Sequence, residues 1–442
     1  MKARKFLCLL VMALAVFALS GCGGGHDDNV VDGDTTTTQS EDVTPETDNT
    51  PSGDSEETDV TGESYTSSTA LENALLVNGS TSTYPNITVI KTGDATGSSD
   101  GTSGYDWTGS NAAILARGGA NVTINGSGTT ITSNAKGGNA VFAYGGSLNS
   151  GSGDGTKISI SDATITTSKS NSGGIMVTGG GIIEASNLTI TTSEGSSAAI
   201  RSDRGGGTIT VTGGTYTTSG TGSPAIYSTA DITGNDVILK SNVAQVVVIE
   251  GGNSVTLSDS TLTANHNKLN GQDTQHQAVL IYQSMSGDAS NGSSKFTMTG
   301  GSLANSVGDI FHVTNTTTTI TLSGSIAITN NDESGCFLRA TMDSWGTSGS
   351  NGGKVTLNAH GQTIDGDMIT DSASSLTLNM TNSSEFNGAI NPSGQTGSVS
   401  VVLDATSTWT LTGNSYVTSL TNNGTINQGS YTLYVNGTAY TK

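Results

Sequence analysis

Arginine and histidine are scarce enough in this chain to be followed one at a time. After the basic start, the arginines are Arg117, Arg201, Arg204 and Arg339, and only five histidines occur in 442 residues. Arg201 and Arg204 flank Asp203. That spacing sets up either a local ion pair or a guanidinium that could neutralise charge on a substrate, and the ion pair is the stronger reading. His266, Asp273 and His276 fall within one polar excursion, Asn265 to Gln277, and His312 follows in the next repeat. Three of these would have to converge to hold a metal, so a polar surface loop is the reading kept. Asp365-Gly366-Asp367 with Asp371 offers the oxygen ligands that calcium takes. Without a fuller ligand pattern it reads as a corner turn. Arg201, Tyr227, His276 and His312 remain as weak ligand-binding candidates, and no catalytic residue, metal or cofactor is assigned.

The thiols carry different chemistry. Residues 1–21 hold Lys2, Arg4 and Lys5 before an apolar run, Phe6 to Leu19, too short to cross a membrane and flanked as an export signal is. The run ends in Leu19-Ser20-Gly21-Cys22. This resembles the bacterial lipobox, in which small residues admit a peptidase and the cysteine is acylated. Cys22 is therefore the expected lipidation site, and several acyl chains at about 0.8 kcal/mol per buried methylene hold a protein on a membrane without a spanning segment. Cys8 leaves with the signal, so Cys336 stands alone and no intrachain disulfide forms. It reads as a small buried apolar residue rather than a reactive thiol.

Lys+Arg 16 against Asp+Glu 37 gives a formal charge of −21. Loss of the three basic residues of the signal takes the side-chain charge to 16 − 3 − 37 = −24. Such a surplus of acid argues against nucleic-acid binding, which needs lysine and arginine to displace counterions from phosphates. Residues 22–65 combine the lipidated cysteine with a Gly/Thr/Ser/acidic stretch, such as Asp54-Ser55-Glu56-Glu57, that can bury little and repels itself. It is expected to be a disordered tether lifting a domain off the membrane. Leu, Ile, Val and Phe make up about one-fifth of the chain, which by composition leaves disorder open for the rest.

Arrangement decides against disorder beyond residue 66. A short apolar block recurs roughly every 21 to 35 residues: Ala113-Ile114-Leu115-Ala116, Ala140-Val141-Phe142-Ala143, Ala199-Ile200-Arg201-Ser202, Ala225-Ile226-Tyr227-Ser228, Ile310-Phe311-His312-Val313, Cys336-Phe337-Leu338-Arg339 and others. A second element, such as Val122-Thr123-Ile124 or Val355-Thr356-Leu357, sends two apolar residues to one face of a strand. A third has the opposite phase, as in Thr164-Ile165-Thr166 and Thr215-Tyr216-Thr217.

Three strands per coil with Gly-, Asn- and Asp-bearing corners predict an all-β, right-handed parallel β-helix of about ten coils. The β-helix with its N-terminal cap is expected over 66–392, and C-terminal coils and a cap over 393–442. In the opening strand the first column is expected in the core and includes Cys336. The third column, with Arg201, Tyr227 and His312, is expected to face out. Outward Thr-x-Thr ladders can order water and bind ice, but the coils differ in length and the array breaks at Val237-Ile238-Leu239, so the threonines read as ordinary sheet chemistry.

The chain resembles right-handed β-helix proteins of the pectin-lyase-like architecture, and more closely a broad set of bacterial β-strand-repeat surface proteins. The stretches that carry the likeness are 203–211 (Asp-Arg-Gly-Gly-Gly-Thr-Ile-Thr-Val), 223–228, 281–288 (Ile-Tyr-Gln-Ser-Met-Ser-Gly-Asp) and 345–353. Residues 407–426 are similar to the end of autotransporter adhesin passengers, but no membrane-barrel translocator follows before Lys442, so the lipid anchor is expected to replace self-export. The resemblance implies a fold and a surface location. The paired aspartates, Gly-His-Gly and Arg-Ile-Lys of polygalacturonase-like enzymes are missing from the solenoid. The expectation is a lipid-anchored, adhesin-like interaction protein of the bacterial envelope, at the outer membrane or cell surface, without catalysis. Its expected partners are the membrane and glycans or a host or neighbouring cell surface. The alternatives are a polysaccharide-active lyase or hydrolase and a purely structural envelope protein.

Overall fold

A computed structural model of the chain describes residues 58–59, 62–149, 152–394 and 396–441. The signal segment, Cys22 and the linker up to residue 57 lie outside the described residues.

Each coil runs through three strands in a fixed order, and like strands of successive coils stack in parallel. Sheet A has 14 strands, from Thr58–Asp59 to Ser419–Asn422, and holds the elements of Val-Thr-Ile type. Sheet B has 10, from Ser64–Ser67 to Ala327–Asn330, with the Thr-Ile-Thr type. Sheet C has 11, from Leu75–Asn78 to Met368–Thr370, and carries the apolar blocks. This is a right-handed parallel β-helix. In the last coils a four-stranded sheet, starting at Thr363–Asp365, follows each sheet A strand where sheet B stood before. A three-stranded sheet closes the chain with its one antiparallel pair, Leu433–Val435 with Thr438–Ala439.

The inward residues of all three sheets form one continuous core. Val122, Ile158, Ile183, Ile209 and Ile232 stack from sheet A, Ile131, Ile165, Ile190 and Tyr216 from sheet B, and Val141, Ile175, Ile200 and Ile226 from sheet C. Strands repeat at ~4.8 Å, so each coil covers the one below with side chains of its own kind. This is why one-fifth aliphatic content suffices. The first strands, Thr58–Asp59 and Ser64–Ser67, begin within the stretch read as linker, because Thr58 pairs with Ser82 and Tyr65 packs on the core and edge-on to Tyr84.

The corners set what stands on the surface. Between sheets A and B two residues suffice in most coils. The first is left-handed, as in Asp162 (φ 55°), Asn187 (φ 52°), Asp236 (φ 53°) and Asp259 (φ 49°). The second can point inward, as Leu188 and Val237 do. Short polar side chains tolerate that backbone. The sharp corner keeps the threonine columns in register: Thr130, Thr164, Thr189 and Thr215 are successive partners, as are Thr132, Thr166, Thr191 and Thr217. Differences in coil length therefore fall at the other two corners. The array is interrupted at Ile238 and Lys240, which oppose Thr215 and Thr217, and resumes at Thr261 and Thr263.

Two expectations about the opening strand need correction. Arg201, Tyr227 and His312 do point away from the interior, but they are only 4%, 5% and 1% exposed. Excursions from the corners beside sheet C cover them. Cys336 does not stand in the first core column. Phe311 opposes Leu338, so Phe337 takes that column and Cys336 precedes it, level with Asp309. It is buried nonetheless.

Candidate functional site

The outer face of sheet C carries several buried ionisable side chains, Arg201, Glu250 and His312 among them. One column runs from Arg201 through Tyr227, Val248, Leu280 and His312 to Arg339, each the ladder partner of the next. Arg201 and His312 are four strand spacings apart, ~19 Å. The weak candidates therefore do not meet in one site. They belong to two buried clusters under different excursions.

The first cluster is built on Arg201. A one-turn helix, Tyr105–Thr108, lies over the sheet, held by the Thr178 hydroxyl donating to the Trp107 carbonyl at 2.7 Å. It lowers Asp106 to 3.5 Å from the Arg201 guanidinium, while Asp203 stands at 3.1 Å on the other side. Burial opposes the charge of Arg201, but the two carboxylates outweigh it and hold its pKa above the usual value. Burial pushes Asp106 up to about 6, against the pull of Arg201. It pushes Asp203 up as well, with Asp288 adding to the rise. The ion pair expected at Arg201–Asp203 is present, sealed from solvent. Stripping one partner from such a pair strands a buried charge.

Next to it, Glu250 is wholly buried and accepts from three hydroxyls: Tyr227, Ser284 and, at 2.9 Å, Tyr282. Burial raises its pKa and the three donors oppose the rise. Tyr282 packs on Trp345 with centroids 4.8 Å apart. Arg204 lays its guanidinium 4.6 Å over the Trp107 ring and stands 3.5 Å from Asp288. The four stretches that carried the likeness to surface repeat proteins thus meet here, contributing Arg204, Tyr227, Tyr282, Asp288 and Trp345. Spacing alone gives no sign of this, since the partners lie 23 to 97 residues apart (Tyr227–Glu250 and Arg204–Trp107).

The second cluster joins the excursions 265–276 and 341–351. His266 lies 3.5 Å from Asp273, accepts from the Gln277 backbone N–H at 3.2 Å and stands edge-on to His276 at 5.3 Å. Asp273 also accepts from Gln245 at 2.9 Å, and burial pushes it up to about 7. His312 is 3.8 Å from Asp343, whose other oxygen accepts from Thr274 at 2.6 Å. The excursion is a surface loop, with Asn267, Lys268 and Thr274 exposed, but it turns His266 fully inward and leaves His276 half-buried. These polar groups clamp the two excursions together. Arg339 pairs with Asp309 at 2.6 Å, and the other Asp309 oxygen accepts the Cys336 N–H at 2.7 Å. Burial, helped by Asp309, pushes the Cys336 thiol up to about 12, so it stays protonated at neutral pH.

Among the described residues no three histidine, cysteine, aspartate or glutamate side chains gather as metal ligands. The aspartates considered for calcium are each committed elsewhere. Asp365 accepts from Asn387, Asp367 from the Ala389 N–H, and Asp371 from Met342, Ala373 and Ser374.

Two polar clefts lie open at the corner from sheet C to sheet A. A cleft of about 330 Å³ is lined by Arg204, the glycines 205–207, Asp231, Asn253 and Asp288. A second, of about 280 Å³, is lined by Gln283, Gly292, Asn315, Thr316 and Lys354. Sheet A beside them presents an in-register column of hydroxyls and amides that includes Thr83, Thr123, Ser159, Thr210, Thr233, Thr256 and Asn358, interrupted by Glu184 and Val402. No family model, curated protein or solved structure matches this chain.

Proposed function

We propose that the protein is a lipid-anchored, adhesin-like interaction solenoid of a bacterial envelope, held to the membrane through Cys22 and binding glycans of a neighbouring or host surface. The observation that carries this reading is the division of labour on the solenoid. Buried ionisable groups such as Asp106, Arg201, Asp203 and Glu250 are engaged with one another or with hydroxyls under the excursions, where they fasten loops to sheet C. Its accessible faces are long, in-register rows of hydroxyl and amide groups, matched in kind to a hydroxyl-rich, repetitive ligand. The acidic stretch before residue 58 serves as a spacer in this reading, and the anchor supplies the location.

A polysaccharide-active enzyme is the second reading, favoured by one observation: Asp106, Asp203 and Arg201 lie next to the first cleft with the acids' pKa values raised, a pattern found at acid–base sites. One experiment separates the two. The detergent-solubilised full chain is expected to bind glycans on an array and to release no reducing or unsaturated ends from polyuronates. Turnover abolished by Arg201→Ala would overturn the adhesin reading. In cells, Cys22→Ala is expected to leave the membrane fraction, and its retention there would overturn the anchor.

A further inference from the structure

The two clefts lie end to end. Their floors are the starts of six successive sheet A strands, from Gly207–Thr212 to Lys354–His360, so together they span five strand spacings, ~24 Å along the solenoid axis. Where they meet, the floor is backbone. A Cβ on Gly252 would stand 2.8 Å from Gly292 Cα, so successive coils touch there without a side chain rising between the clefts. The first cleft has the same kind of floor, because a Cβ on Gly206 or Gly207 would meet the Thr229 or Gly181 carbonyl at 2.8 or 2.2 Å. The excursion 283–292 walls both clefts, and its fastening to Glu250 through Ser284 holds that wall in place.

Three polar side chains of the groove lining are not fully hydrogen-bonded by the described residues. The Arg204 guanidinium is held by Trp107 and Asp288 yet donates no hydrogen bond among the described residues. Gln283 and Thr316 line the second cleft, each 8% exposed, and their side-chain oxygens, Oε1 and Oγ1, are buried and have no hydrogen-bond partner among the described residues. Buried polar atoms in folded proteins are satisfied by protein, water or ligand. The charges along the groove cancel: Arg204 and Lys354 against Asp231 and Asp288. In a chain of formal charge −21 that balance is local, and it suits neither a polyanion nor a polycation.

We infer that this corner groove is the binding site for an extended, uncharged oligosaccharide of about five sugar units lying parallel to the solenoid axis, each unit advancing by one coil. Carboxylates accept from sugar hydroxyls, and Arg204, Lys354 and the asparagines donate to them. The inference rests on the glycan-binding reading and adds where the ligand lies and that it is neutral.

The test is equilibrium binding of the detergent-solubilised full chain to neutral hexasaccharides of glucose, mannose and galactose, with hexagalacturonate as the charged counterpart. A neutral hexamer is expected to bind with a Kd that does not move with salt and that weakens as the oligomer is shortened. Asp231→Ala and Lys354→Ala, exposed substitutions at opposite ends of the groove, are each expected to raise Kd about tenfold, while Glu184→Ala on the open face of sheet A leaves it unchanged. Binding that Glu184→Ala weakens and the groove variants leave alone would overturn the site but keep the glycan reading. Preference for hexagalacturonate, with salt-sensitive binding, would overturn the neutral class. Failure to bind any glycan of either class would overturn both the site and the glycan reading.

Discussion

Arg201 and His266 are both buried ionisable groups, yet they respond to pH in different ways because one is charged and compensated and the other is neutral. Burial, with His276 adding to it, lowers the His266 pKa to about 3. Above pH 6.5 the imidazole is neutral whether the chain is folded or not. As pH falls from 6.5 toward 3, the unfolded chain takes up a proton that the folded one refuses, so this group's stability contribution is lost at up to about 1.4 kcal/mol per pH unit. Asp273 acts in the opposite sense, since its raised pKa favours the folded state at low pH and that gain is lost as pH rises toward 7. Comparing His266→Gln with the parent isolates the histidine. The gap between their urea midpoints is expected to change steadily in the variant's favour from pH 7 to pH 4, and a constant gap would rule the assignment out. The sequence was legible here for pairing, as Arg201 with Asp203, and misleading for exposure. Whether Tyr227 or His312 meets water depends on excursions such as 341–351, whose Asp343 meets Thr274 from the 265–276 excursion 69 residues away.

At the scale of elements, the strands were readable because period-two alternation is local: Val122-Thr123-Ile124 must send its two apolar side chains to one face. Register was less so. Cys336 shares its block's apolar look but stands one position early, because alternation permits either phase until Leu338 is seen opposite Phe311. The sheet A to sheet B corner is the element that holds the coils in step. Asn187 combines left-handed φ with a side-chain hydrogen bond to Asp162 in the coil below, at 3.2 Å. Asn187→Ala is expected to lower stability by about 1–2 kcal/mol in urea denaturation, and Asn187→Gly by clearly less, because glycine adopts that backbone freely. Equal losses would place the effect in the hydrogen bond alone.

The whole molecule is a stack in which each coil contacts its neighbours, so stability is close to a sum of coil and interface contributions and opening starts at the ends. The last coils, with exposed strands Ser419–Asn422 and Thr425–Asn427, are pinned by Trp409, which is fully buried, stacks on Phe386 at 5.5 Å and donates to the Gly388 carbonyl at 2.9 Å. Trp409→Ala is expected to abolish amide protection from about residue 385 onward in hydrogen exchange while leaving Ile190 and Ile200 protected. Loss of protection throughout would mean that the solenoid unfolds as one cooperative unit.

Alternation, turn residues and the recurrence of three strand types are properties of neighbouring residues, and they determined that this chain coils into a parallel β-helix. The lipobox-like run ending at Cys22 and the acidic stretch after it were likewise local patterns, and they set the expectation of an anchored, exported protein. The tertiary structure alone decided which outward residues reach solvent and where open polar surface remains. Burial of Arg201, Glu250 and His312 and the corner groove between Arg204 and Lys354 arise from side chains brought together across many coils. Those distances are set by the stacking of the whole solenoid and leave no periodic trace in the sequence.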